Sequence, residues 1–195
     1  MILLYRMYYC DLCFEDKNKW YYKILKKDAK EFLQPYDNYE QNMIQEDKIY
    51  IQQQLEQYCK PSKPPINKKL RDGEELSLSD WQLIHDLDNL INQFSLSEDT
   101  VVYRGTDIDI FNKDANYTDK AYVSTSFVKE AVLETHNEKY LYKILLPKET
   151  HGFCPQVFTC RNIEYEFILP HNTTFQLLKR KERKEHVEII CKVII

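Results

Sequence analysis

The sequence predicts an α+β protein in which helices come first and a mainly antiparallel sheet assembly follows. Three observations carry this expectation. Apolar residues recur at helical spacing from Asp28 to Phe94, and short apolar or alternating runs bounded by turns replace them from Thr100 onward. The helical texture is concentrated ahead of the strands, with one short helix between two of them. With 195 residues the chain is long enough for one domain with its own core. We read residues 1–195 as that domain, mainly helical over 1–98 and β-rich over 99–195.

In chain order, residues 2 to 9 are apolar and aromatic and fit a short strand or a docking arm. Helical spacing covers Asp28 to Leu33 and again Asn38 to Cys59, through Tyr39, Met43, Ile44, Ile51, Leu55 and Tyr58. Pro61, Pro64 and Pro65 stop that pattern, and the basic stretch Lys68 to Gly73 reads as a loop. Ser79-Asp80-Trp81-Gln82 has the form of a capping box. It opens a helix that carries Trp81, Ile84, Leu87, Leu90, Ile91 and Phe94 on one side, with His85 near that stripe in a structural place. Strands are predicted over Thr100 to Arg104, Lys120 to Phe127, Tyr140 to Leu146, Glu164 to Leu169, Thr174 to Lys181 and His186 to Ile195. A short helix is placed over Val128 to Thr135, and the last two strands form a hairpin with a charged tip.

Composition removes several function classes. A net charge of -4 gives no electrostatic footprint for nucleic acid, and no run approaches the ~18–20 apolar residues that cross a bilayer. No export signal is read at the start, so the expectation is a cytoplasmic protein without membrane attachment, and a monomer. The 6 cysteines are expected as thiols. Cys10-Asp11-Leu12-Cys13 has metal-ligand spacing but no second pair at a zinc-ribbon distance, so no metal is expected. Glycines stand only at 73, 105 and 152, which rules out a glycine-rich phosphate loop.

Chemistry concentrates at three strand ends. Val101-Val102-Tyr103-Arg104-Gly105 finishes an apolar strand with a guanidinium, suited to phosphate or carboxylate, and a glycine that admits close approach. In Val123-Ser124-Thr125-Ser126-Phe127, alternation turns Ser124 and Ser126 to one face and Thr125 to the other. Glu164-Tyr165-Glu166 heads the apolar run to Leu169. In a strand its carboxylates would lie on one face, roughly 6.5–7 Å apart, where their repulsion favours a cationic ligand. Each motif alone also has a bland reading as an ion pair, cross-strand packing or a solvated strand end.

Together the three are far more specific. Aromatic-Arg-Gly, Ser-Thr-Ser about 20 residues later and Glu-x-Glu about 40 further resemble the Arg-Ser-Glu class of mono-ADP-ribosyltransferases, the bacterial binary-toxin enzyme subunits and related exoenzymes. The resemblance covers roughly residues 99 to 195, including the segment Tyr140 to Pro147. It implies two small antiparallel sheets around an NAD cleft, and NAD as co-substrate without a metal. Arg104 would hold NAD through its phosphate and ribose side, with the backbone of Arg104 and Gly105 facing the nicotinamide amide and Tyr103 among the NAD-binding residues. Ser124 would position the catalytic glutamate, and Thr125 and Ser126 would line the pocket. Glu166 would bind the nicotinamide ribose and stabilise the cation formed as nicotinamide leaves, while Glu164 would orient and deprotonate the acceptor.

The resemblance further implies that Glu-x-Glu goes with arginine acceptors, on a target protein such as actin, a small GTPase or ubiquitin. The usual loop aromatic and arginine are missing from Thr135-His136-Asn137-Glu138-Lys139-Tyr140. His136 or Tyr140 stands in for the ring and Lys139 for the charge. Phe158 is the candidate substrate contact ahead of the glutamates. The alternatives are an NAD glycohydrolase, transfer to threonine or another side chain, and an inactive partner-binding domain. The His-Tyr-Glu pattern of poly-ADP-ribose polymerases is absent, since Arg104 stands where the His would be.

Overall fold

The computed structural model describes residues 22–23, 29–59, 66–111, 114–135, 138–158 and 165–195. Four helices precede most of the strands: α1 (Ala29–Asn42), α2 (Gln45–Cys59), α3 (Ile66–Asp72) and α4 (Leu78–Asn92). The break between the first two falls at Met43–Ile44, later than the periodicity suggests, because α1 runs on through Pro35. Tertiary packing outweighs the local cost of that proline. The ring of Tyr36, one residue on, is buried against Phe94 at 4.7 Å and Phe153 at 6.0 Å.

Helix α3 occupies what was expected to be a loop. Its reasons to be helical lie elsewhere in the chain. Ile66 is buried, and Asn67 donates to the Tyr58 hydroxyl and accepts from the Tyr122 amide. Arg71 makes a two-pronged bond to Asp119. Gly73 at φ 69° then ends the helix in the left-handed conformation that favours glycine there.

A capping box does open α4, two residues earlier than read from sequence. Ser77 is the cap, its hydroxyl accepting from the Asp80 amide while the Asp80 carboxylate accepts from the Ser77 amide. The buried stripe is Leu83, Ile84, Leu87, Leu90 and Ile91. Trp81 lies outside it at 58% exposure, and the His85 ring is exposed against Asn89.

The strands are β1 (Tyr22–Lys23), β2 (Thr100–Thr106), β3 (Asn116–Asp119), β4 (Val123–Ser126), β5 (Tyr140–Leu146), β6 (Glu166–Leu169), β7 (Thr173–Glu182) and β8 (Val187–Ile194), with α5 (Lys129–Thr135) after β4. The α+β class, helices ahead of the main strands, is the architecture observed. Two details differ from the expectation of two antiparallel sheets. The strands form one continuous hydrogen-bonded path, β3-β7-β8-β5-β2-β4-β6, with β1 beside β2, and β5 pairs with β8 in parallel. The path is nearly cut in two, because β2 and β4 share the single pair Tyr103–Ser126.

The run expected as one strand over Lys120 to Phe127 is a turn followed by β4, and β3 was not foreseen. The β7–β8 hairpin with its charged tip is present. The predicted strand or arm over residues 2 to 9 lies outside the described residues, as do Cys10 and Cys13. Among the described residues, no helix is long and apolar enough to cross a membrane.

Alternation along β2 separates two environments. Val102 joins Tyr142, Ile144, Ile189 and Cys191 in the main core, shared with α4. Val101 and Tyr103 face the other way, into a smaller cluster with Leu141, Leu145 and Ile190 beneath Val132 of α5. The outer edge of β6 is closed by a strap in which Phe153 exchanges both backbone hydrogen bonds with Ile168. Gly152 lies so close to the Phe167 ring that a Cβ would sit 2.1 Å from it.

Candidate active site

The near-separation of β2 from β4 opens a cleft of about 220 Å³. Tyr103, Arg104 and Gly105 line it from β2, Ser124, Thr125 and Ser126 from β4, and Glu166 from β6, with Ala131 and Val132 of α5 and Glu138 at the far wall. Three strand ends identified separately in the sequence therefore meet around one space.

On the β4–β6 side, Ser126 pairs with Glu166 and Ser124 with Ile168, so Ser124 and Glu166 are diagonal neighbours on one face. The Ser124 hydroxyl donates to Glu166 Oε1 at 2.5 Å and fixes the carboxylate's direction. Ser126 turns its hydroxyl to the Val128 amide, 3.1 Å away, and so bends the chain into α5. Thr125 points to the opposite face, where its buried hydroxyl donates to the Phe167 carbonyl at 2.7 Å.

Strand β6 begins at Glu166. The residue before it, Tyr165, sits at φ 48°, in the left-handed region that a bulky side chain rarely adopts. The Phe127 amide donates to its carbonyl at 3.1 Å. The expected strand start at Glu164 is corrected accordingly: β6 begins at Glu166, and its two-residue alternation does not run through Tyr165. Glu164 itself lies outside the described residues, as does His136.

On the β2 side, Arg104 donates through Nη1 to the Ser124 carbonyl at 2.7 Å, tying the two halves of the cleft together. Burial pulls its guanidinium below the ordinary value and the Arg71 charge adds to this, while Asp119, Tyr58 and Glu138 oppose it. Arginine stays charged through such a shift. Arg104 also borders a second cavity of about 120 Å³, walled by Arg71, Asp119, Tyr117, Tyr142 and Phe175 among others.

Gly105 is required by close approach. A Cβ there would lie 2.5 Å from Glu138 Oε2 and 3.2 Å from a Val132 methyl. Ala131, Val132 and Glu138 line the cleft beyond the residues expected from sequence; the segment from Thr135 to Tyr140 contributes an anion at the wall where a ring or a cation was expected. The available signal was Gly105, whose freedom from a side chain demands a close neighbour. Tyr140 starts β5 half-buried, with the Lys139 ammonium 5.3 Å from its ring, and neither lines the cleft. Phe158, expected at the substrate, is buried in the main core with its ring 5.9 Å from Phe153 and is likewise absent from the lining. Among the described residues, no group of three His, Cys, Asp or Glu side chains is arranged to hold a metal.

The sequence model of the ADP-ribosyltransferase exoenzyme family matches residues 32–195, which contain every cleft residue named above. The chain belongs to the ADP-ribosyltransferase exoenzyme family. It is thereby an NAD-dependent mono-ADP-ribosyltransferase by class. Solved structures resemble this exoenzyme over most of its length. The Clostridium limosum C3 exoenzyme is 13% identical with a TM-score of 0.73, covering 91% of this chain and 98% of that one. Plx2a, an ADP-ribosyltransferase toxin from Paenibacillus larvae, is 20% identical with a TM-score of 0.70, covering 87% and 96%. C3stau2 from S. aureus, solved with NAD, is 20% identical with a TM-score of 0.70, covering 89% and 97%. At these identities the likeness is one of fold. No curated protein matches the sequence of this exoenzyme.

Proposed function

We propose that this exoenzyme transfers the ADP-ribose of NAD to a side chain of a cytosolic target protein, arginine being the favoured acceptor, and releases nicotinamide. The observation that carries the reading is the Ser124–Glu166 hydrogen bond of 2.5 Å inside a cleft that Arg104 closes from the other side. It matches a specific chemical need. As the bond between nicotinamide nitrogen and ribose C1′ breaks, its electrons leave with nicotinamide and positive charge develops on the ribose. A carboxylate already aimed at that charge stabilises it without reorganising.

In this reading Glu166 binds the ribose hydroxyl and faces the developing cation, and Ser124 holds it there. Arg104 meets the diphosphate and ribose side. Tyr103 and the Gly105 backbone border the nicotinamide, and Thr125 and Ser126 shape the pocket. Glu164 takes the proton from the acceptor nitrogen as that nitrogen bonds to C1′. Arginine is favoured as acceptor because a guanidinium is attracted to the Glu164 and Glu166 carboxylates.

Incubation with labelled NAD and a cell lysate, followed by mass spectrometry of the labelled proteins, tests the proposal and identifies the modified side chain. Glu166→Ala should lose both labelling and NAD hydrolysis, by about 10²-fold or more. Glu164→Ala should lose labelling and keep most of the hydrolysis. Wild-type labelling by Glu166→Ala would refute the mechanism. Hydrolysis without any labelled protein would identify a glycohydrolase.

A further inference from the structure

We infer that Glu138 is the residue that recognises the positive charge of the nicotinamide ring, and that it makes the cleft selective for oxidised over reduced dinucleotide. The inference rests on the reading of this cleft as the NAD site.

NAD carries opposite charges at separate places, a cationic pyridinium at one end and an anionic diphosphate in the middle. The described residues of the cleft have the same polarity. Arg104 borders both this cleft and the second cavity, where the neighbouring Arg71 is paired with Asp119, which leaves Arg104 as the cation that faces the substrate. The carboxylates of Glu138 and Glu166 lie in the cleft itself. Glu166 is already held in direction by Ser124, and in the proposed reaction it faces the bond that breaks.

Glu138 approaches from the other wall. Its Oε2 is buried and occupies the space that a side chain at position 105 would fill, with Val132 beside it. A diphosphate at that wall would be repelled by the carboxylate, and the pyridinium is the part of the substrate that it attracts. The cleft therefore orients NAD end to end, with the ring towards Glu138 and Gly105 and the diphosphate towards Arg104.

The consequence for rate is distinct from that of Glu166. The pyridinium is charged in bound NAD and becomes neutral as nicotinamide departs. A carboxylate beside the ring thus stabilises the bound substrate more than the transition state. Glu138 holds substrate; it does not accelerate bond breaking. Reduced dinucleotide has nearly the same shape and a neutral ring, so the affinity difference between the two forms isolates this one charge.

The test is calorimetric titration of the full chain with NAD and with NADH, for wild type, Glu138→Gln and Glu138→Asp. Wild type should prefer NAD. Glu138→Gln should reduce the NAD-to-NADH affinity ratio by about tenfold, while Glu138→Asp should keep much of it. In NAD hydrolysis, Glu138→Gln should raise KM with kcat unchanged or higher, the opposite pattern to Glu166→Gln. A structural carboxylate would shift the melting temperature and weaken both dinucleotides equally, and that result would overturn the inference. So would an unchanged ratio in a variant that still binds NAD. If wild type bound neither dinucleotide, the NAD reading beneath it would fail as well.

Discussion

Ser124 shows how one hydroxyl sets the direction of a charged group. Its position on the cleft face follows from alternation within β4, and its 2.5 Å bond to Glu166 follows from the β4–β6 register. Removing it should leave the carboxylate in place but free to turn. Ser124→Ala is expected to lower kcat for NAD hydrolysis by roughly tenfold to a hundredfold, as befits one hydrogen bond to a charged group, with KM for NAD changed less than about threefold. Steady-state kinetics on the purified variant checks this, and a comparable rise in KM would show a binding role instead. That Arg104, Ser124 and Glu166 stand at strand ends was legible in the sequence, and the structure brings those ends to one cleft. The start of β6 was not legible, since a left-handed Tyr165 interrupts an alternation that the sequence shows as regular. Nor was the location of Phe158, because a ring beside a turn reads the same whether it faces ligand or core.

Helix α4 was legible in kind and misplaced in detail. Ser79 and Ser77 both precede acidic or amide residues, and local pattern could not choose between them. The choice falls to Ser77 because Asp80 is also held by Lys69 of α3, 2.6 Å away. Burial raises the Asp80 pKa, but the Lys69 ammonium together with the Ser77 hydroxyl and amide outweighs it and brings the value to about 2. A carboxyl whose folded value lies below its unfolded one adds stability above the unfolded pKa, and loses it as pH falls through the folded value. That contribution should disappear between about pH 4 and pH 2. Asp80→Asn should lower the melting temperature at pH 7 by ~2–4 °C and flatten its dependence on pH in that acid window, as measured by thermal scans followed by far-UV circular dichroism. Helix α3 was missed because its supports, Tyr58, Asp119 and Tyr122, are distant in sequence.

At the scale of the molecule, the helical and strand halves are joined by a few polar contacts set into a shared core. Tyr122 is fully buried, and its hydroxyl lies 2.7 Å from an Asp88 carboxylate oxygen and 3.1 Å from the Ile84 carbonyl of α4. His171, in the turn before β7, meets the other Asp88 oxygen at 3.1 Å and stands edge-on to the Tyr122 ring. Tyr122→Phe keeps the packing and removes the hydroxyl. It should destabilise the fold by about 2 kcal/mol in urea titration with an unchanged slope, and leave the kcat of NAD hydrolysis unaltered. A large loss of activity would mean that the junction also shapes the cleft.

The sequence by itself determined that helices precede the main strands, the family, and the strand ends on which Arg104, Ser124 and Glu166 stand. Periodicity and strand-end motifs are local properties, written within a few residues. Only the tertiary structure decided how those strand ends meet. The single Tyr103–Ser126 pair opens the cleft, and Gly105 brings Glu138 to its wall. Both depend on register and close approach between segments far apart in the chain, and no local pattern encodes either.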